Sequence, residues 1–101
     1  QIFGIGDVWG AWDEGMESAL FTLDKTTKKV SATLPNEKAA NLRIYAKSKV
    51  ATTAWWTREF VVRRSSEKIE YRGNGGDLPA EEVKKGETVT IDFNANTGTI
   101  K

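Results

Sequence analysis

Apolar and polar residues alternate one for one along several short stretches of this chain. Val30, Ala32 and Leu34 are interleaved with Ser31 and Thr33; Leu42, Ile44 and Ala46 are interleaved with Arg43, Tyr45 and Lys47. Val89, Ile91 and Phe93 alternate with Thr88, Thr90 and Asp92, while Ile69 and Tyr71 bracket Glu70. Neighbouring side chains of a strand point to opposite faces, so this spacing puts one set inside and the other in water. That is the pattern of half-buried antiparallel strands. Further apolar runs at residues 2–5, 20–23 and 59–63 bring the expectation to about seven or eight short strands.

Turn-forming segments separate them: 24–29 (DKTTKK), 35–38 (PNEK), 64–67 (RSSE), 84–87 (KKGE) and 94–98 (NANTG). The last is expected to close a terminal hairpin, with Gly98 in a left-handed position at the loop end. Helical periodicity is nowhere sustained; its best stretch, 80–85, is short and runs into Gly86. The expected fold is all-β, an immunoglobulin-like antiparallel β-sandwich formed by residues 1–101. Three segments break the rhythm of strand and turn: 7–19 with two Trp, 48–57 with Trp55 and Trp56, and the glycine-rich 72–79. Connections longer than geometry requires are disproportionately functional, and tryptophan argues against disorder.

Composition narrows the function. The 101 residues suit one hydrophobic core, and 39% hydrophobic with 29% charged residues is ordinary for a globular domain. Fifteen Lys and Arg against fourteen Asp and Glu leave a net charge of +1, so no overall field draws the chain to nucleic acid or an anionic membrane. No run approaches the roughly 18 apolar residues of a membrane span, and the opening QIFGIGDVWG lacks the basic segment of a signal peptide. Gln1 in place of an initiator Met leads us to expect a mature product or a piece of a longer protein. The absence of Cys and His removes disulfides, thiolate and Ser-His-Asp nucleophiles, and the common zinc ligand sets. No cofactor or metal is expected. The fourteen carboxylates show no spacing that selects an acid/base pair, and a short sandwich rarely builds a deep cleft, so we expect no enzyme.

Three apparent motifs dissolve on inspection. GIGDVWG (4–10) has one residue too many for a dinucleotide fingerprint, places Trp9 where a phosphate would approach, and precedes no helix. DFNAN (92–96) echoes a calcium loop, but its glycine falls late, at Gly98, and the chain ends before the final Glu. WWTREFVVRR (55–64) mixes aromatic and basic residues as single-strand nucleic-acid sites do, yet Arg63 and Arg64 read better as the solvated face of a strand.

Four Trp against one Met and four Phe is the feature that needs a reason. A sandwich buries one or two, and Trp12, in a Gly-x-Trp-Asp turn, suits a ring folded back over the sandwich end. Trp55 and Trp56 are adjacent, so in an extended segment only one faces the core, and the other is expected to be exposed along with Trp9. An exposed indole matches the flat C–H face of a pyranose, with Arg, Asn or Asp bonding the hydroxyls. Arg58, Arg72, Asn74 and Asp77 lie in the same irregular segments. Exposed indoles serve equally well in an interface with another domain, so a spacer or interaction module is the alternative.

Gly6-Asp7 and the turn Gly10-Ala11-Trp12-Asp13 after an opening strand, LRIYAK (42–47), IEYRGNGGDLP (69–79) and GETVTIDFNANTGTI (86–100) together resemble one family. It is that of the SusE/SusF-like outer-membrane lipoproteins of glycan-degrading Gram-negative gut bacteria. Arg43-Ile44-Tyr45 stands where that family has a Phe-Lys-Phe-type strand. The resemblance implies an immunoglobulin-like domain that binds starch or another α-glucan without catalysis. It implies an exported protein of several such domains at the outer-membrane surface, beside a glycan importer complex, touching the membrane only through a lipid anchor outside this segment. Carried over residue by residue, it makes Trp55 and Trp56 the stacking plates with Arg58 beside them, and Arg72 and Asn74 the polar partners; Trp9, expected to be exposed, is a further candidate plate on chemical grounds.

Overall fold

The alternating stretches form strands because each has one apolar face to bury, and the intervening Asp- and Gly-bearing turns reverse the chain. In the computed structural model residues 1–35, 40–47, 54–73 and 76–101 are described. They contain ten strands: β1 (Ile2–Gly4), β2 (Thr22–Leu23), β3 (Val30–Thr33), β4 (Ala40–Asn41), β5 (Ile44–Ala46), β6 (Glu59–Val62), β7 (Ile69–Tyr71), β8 (Glu82–Val83), β9 (Thr88–Asp92) and β10 (Thr97–Ile100). One antiparallel sheet runs β1-β5-β6-β7 and the other β10-β9-β3-β2, with β4 and β8 forming a separate two-stranded ladder. The β-sandwich expected from the alternation is the observed architecture, and the two elements beyond the expected count are the short strands β4 and β8. Most of the expected turn at 35–38 and the first part of 48–57, residues 48–53, lie outside the described residues.

The core lies between the sheets. Ile44, Phe60, Val62 and Ile69 of the first sheet meet Val89, Ile91 and Ile100 of the second, with Leu34, Leu42 and Val83 closing the ends. Tyr71 and Phe93, at the far ends of their stretches, overrun the core instead: both are exposed and pack on Phe60. The outer face of the first sheet is not left to water. Tyr45, expected to be solvated, is wholly buried in a second apolar cluster with Phe3 and Ile5, because Leu20 and Trp55 cover that face.

The β9–β10 hairpin closes as expected but by other residues. The carboxylate of Asp92 accepts the N–H groups of Asn94 and Ala95 at 3.0 and 3.2 Å, and Asn96 takes the left-handed position at φ 58°. Gly98 sits within β10 opposite Ile91, where a Cβ would lie 2.8 Å from Val62 and 3.0 Å from the Thr90 carbonyl oxygen. Its lack of a side chain permits close approach of the sheets rather than a turn.

Arg63 and Arg64 are ties, not solvated decoration. Arg63 donates to the Pro79 carbonyl at 2.8 Å and pairs with Glu70 at 3.0 Å. Arg64 spans to Glu87 at 3.0 Å and to the Glu82 carbonyl at 3.2 Å. That hydrogen bond from Arg64 holds the Glu87 carboxyl below its ordinary value of 4.5, as the bond from Arg63 does for Glu70. Asp24 is lowered likewise, by the backbone N–H groups of Thr27 and Thr26. Each pKa is depressed in the folded state, so its stabilisation is complete above the unfolded-state value and is lost as pH falls through the folded one. The thermal midpoint is expected to drop on acidification from about pH 6 to below about pH 4, and Glu87→Gln to flatten that drop. Calorimetry across the range checks this; an equally steep profile in the variant would remove Glu87 from the account.

Candidate functional site

After β1 the chain makes a tight excursion. The Gly6 N–H donates to the Ala11 carbonyl at 2.8 Å, and residues Asp7–Trp9 form a 3-10 turn bounded by Gly6 and Gly10, both at positive φ. The turn drops Val8 and Trp9 into the core and throws Trp12 outward. The expectation for these two indoles is therefore reversed. Trp9 is 2% exposed, packed on Phe21 with ring centroids 5.5 Å apart and lying over Gly4, where a Cβ would overlap the ring. It borders an open concavity with Gly10, Ser18 and Pro35, but has no ring face to offer a sugar. Trp12 is 53% exposed and donates its indole N–H to Asp7 at 3.0 Å.

Trp55 and Trp56 lie not in an extended segment but in another 3-10 turn, Trp55–Arg58, closed by the Thr57 N–H and hydroxyl on the Ala54 carbonyl. At about three residues per turn, neighbouring side chains diverge by roughly a third of a rotation instead of half. Neither ring enters the core. Trp55 rests on Tyr45 with centroids 5.9 Å apart and stands 6.4 Å from Trp12, their planes inclined at 50°. Trp56 is 38% exposed, with the Arg72 guanidinium 4.9 Å from its ring centroid. Arg58 donates to the Ala46 carbonyl at 2.7 Å, which ties the turn to β5. Asn74 lies outside the described residues.

Beneath these rings runs a row set by strand register. Phe3 pairs with Tyr45, and Tyr45 with Glu59, so all three share the outer face of the sheet. The Arg72 N–H donates to the Glu59 carbonyl at 3.0 Å and extends the row. Tyr45 accepts the Gly15 N–H at 2.7 Å, and burial pushes its phenol pKa up. Glu59 is the one charged side chain classed as buried among the described residues, at 3% exposed. One carboxylate oxygen takes Arg43 at 3.1 Å and the other takes Arg72 at 2.9 Å. Asp77, largely exposed, accepts from the same two guanidiniums at 3.5 and 3.0 Å. Arg43 lies over Trp12, 5.2 Å from the ring centroid.

The structure therefore brings together Trp55, Trp56 and Arg72 of the expected set with Asp77, and adds Trp12, Arg43 and Glu59. The signal for Glu59 was slight, an acid opening the otherwise apolar run EFVV. Three partly or well exposed indoles beside two guanidiniums and two carboxylates can stack on flat apolar faces and exchange hydrogen bonds with hydroxyls. Charge within the cluster balances, two Arg against Glu59 and Asp77. A different concavity, lined by Arg64, Glu82, Val83, Lys84 and Glu87, holds no aromatic ring, and its arginine is committed to Glu87.

Known proteins agree on one assignment. A family model described as SusF/SusE starch specific CBMs, that is carbohydrate-binding modules, matches residues 1–99. Outer membrane protein SusF of Bacteroides thetaiotaomicron is 33% identical over 105 aligned positions, covering 100% of this chain and 21% of that protein. The crystal structure of SusF from the same organism superposes with a TM-score of 0.83 at 33% identity, over 99% of this chain and 23% of that one. This chain spans about a fifth of the relative's length. With matching fold, near-complete coverage and a family model over almost every residue, the chain belongs to the SusF/SusE family of starch-specific carbohydrate-binding modules.

Proposed function

We propose that this chain is a non-catalytic module that holds starch or a related α-glucan on the surface formed by Trp12, Trp55 and Trp56. The observation that supports it most is the clustering of three accessible indoles around the Arg43–Glu59–Arg72 bridge. The indoles stack on pyranose rings while Arg72 and Arg43 bond hydroxyls; Asn74 is the amide proposed from the sequence. The balanced charge of the cluster favours a neutral glycan over a uronic acid polymer. A single shallow site binds weakly, and avidity from sister modules raises retention on a polymer. By its likeness to an outer membrane protein we place the chain in a longer, multi-domain, lipid-anchored protein of the cell surface, working beside a glycan importer.

Affinity electrophoresis tests this directly. The chain is expected to be retarded in gels containing starch or pullulan, and to run with an inert control protein in gels of xylan, mannan or polygalacturonate. Free migration in every gel would return the chain to a spacer role, and release of reducing sugar would overturn the non-catalytic assignment.

A further inference from the structure

We infer that Glu59 is the positioning residue of this surface, a buried carboxylate that sets both outward indoles, Trp12 and Trp56, as one unit; the inference rests on the glucan reading above. Its neighbours in the cross-strand row, Phe3 and Tyr45, are aromatic and buried, so packing alone calls for another apolar side chain at this place. A charge taken out of water there is unfavourable unless both oxygens are met, so a carboxylate at this place calls for a reason other than packing. Both oxygens are met, Oε2 by Arg43 and Oε1 by Arg72. Each of these guanidiniums then lies over an indole that faces solvent, Arg43 over Trp12 and Arg72 over Trp56. The chain of contacts is continuous from one plate to the other and passes through a single carboxylate.

Planar guanidiniums fixed at one end by a carboxylate have a defined plane to present to a ring; freed, their long stems sample many rotamers. Asp77 cannot substitute, because it is 65% exposed and reaches the two arginines only from the solvent side. Glu59 touches no sugar in this account. It acts through Arg43 and Arg72, and the spacing and tilt of the two plates follow from where it holds them.

Glu59→Gln and Glu59→Leu test this, with maltoheptaose as the titrated probe, near-ultraviolet circular dichroism as the report on indole ordering, and thermal unfolding as the report on stability. Affinity is expected to fall about tenfold or more in both variants, the loss of a charge-assisted pair being worth that much. The near-ultraviolet spectrum should change with it, while Glu59→Leu still unfolds cooperatively, at a lower midpoint than the parent because Arg43 and Arg72 lose their buried carboxylate. Arg72→Lys should weaken binding similarly, and Glu59→Gln with Arg72→Lys should lose little more than either alone, since both break the same link. A folded Glu59→Leu chain with parental affinity and an unchanged aromatic spectrum overturns the inference, as does failure of both Glu59 variants to fold. Absence of maltoheptaose binding by the parent chain defeats the glucan reading instead, and the spectra then still decide whether Glu59 orders the indoles.

Discussion

Trp12→Ala combined with Trp56→Ala is expected to take α-glucan binding below detection while leaving the thermal midpoint within a few degrees of the parent. Truncating a Trp at the centre of a binding surface commonly removes about 2 kcal/mol or more, so two together weaken a binding site by roughly three orders of magnitude. A single module starting from weak affinity has no such margin. The stability side follows from exposure. Trp12 is 53% and Trp56 38% accessible, and both stand above the sheet on arginines rather than within the core. The pair Trp55 and Trp56 is the less clean choice, because Trp55 also roofs Tyr45 and its removal opens the second apolar cluster. Titration with maltoheptaose alongside thermal unfolding reads both effects. A folded double variant that still binds like the parent would move the site off these rings.

Trp9→Ala is expected to do the reverse. This indole is 2% exposed, fills the space over Gly4 and packs on Phe21. Truncating a buried Trp typically removes about 3–5 kcal/mol, against roughly 5–15 kcal/mol for a whole domain. For a chain of this size that lowers the midpoint by roughly 10–40 °C. Gly4→Ala attacks the same contact from the other side, since its methyl group would overlap the ring and force it out. Both variants, examined well below their midpoints, are expected to keep glucan affinity because Trp9 belongs to no part of the plate assembly. A Trp9→Ala chain as stable as the parent would show that the ring is not the keystone of that corner.

Legibility divides along the same lines. The strand stretches were readable because alternation in sequence is alternation in space, and β3, β5, β7 and β9 lie within stretches marked by their apolar spacing. The tryptophans were not, because a ring's burial depends on what the chain brings to it from elsewhere. Trp9 is inside because Gly4 leaves room for an indole, and Trp12 is outside because a 3-10 turn between two positive-φ glycines faces it away. Neither fact has a period. Tyr45 misled for a related reason: it is on the outer face, as its register requires, but Trp55 and Leu20 cover that face. Of the polar set, Arg72 and Asp77 were visible as loop residues near Trp, whereas Glu59 and Arg43 looked like ordinary strand polarity. Their pairing across 16 positions exists only once β5 and β6 are aligned.

Trp55 rests on Phe3, Ile5 and Tyr45, a cluster separate from the core that holds the two sheets together, while Trp12 and Trp56 stand on arginines. On the glucan reading, variation at Trp12 and Trp56 that retunes the grip on a sugar falls on groups whose loss scarcely touches the folding reserve. Natural proteins sit little above their stability threshold, and most binding surfaces cannot drift far before the scaffold fails. Here the two requirements are carried by different atoms, so a lineage that duplicates such a module can diversify the copies while every copy continues to fold.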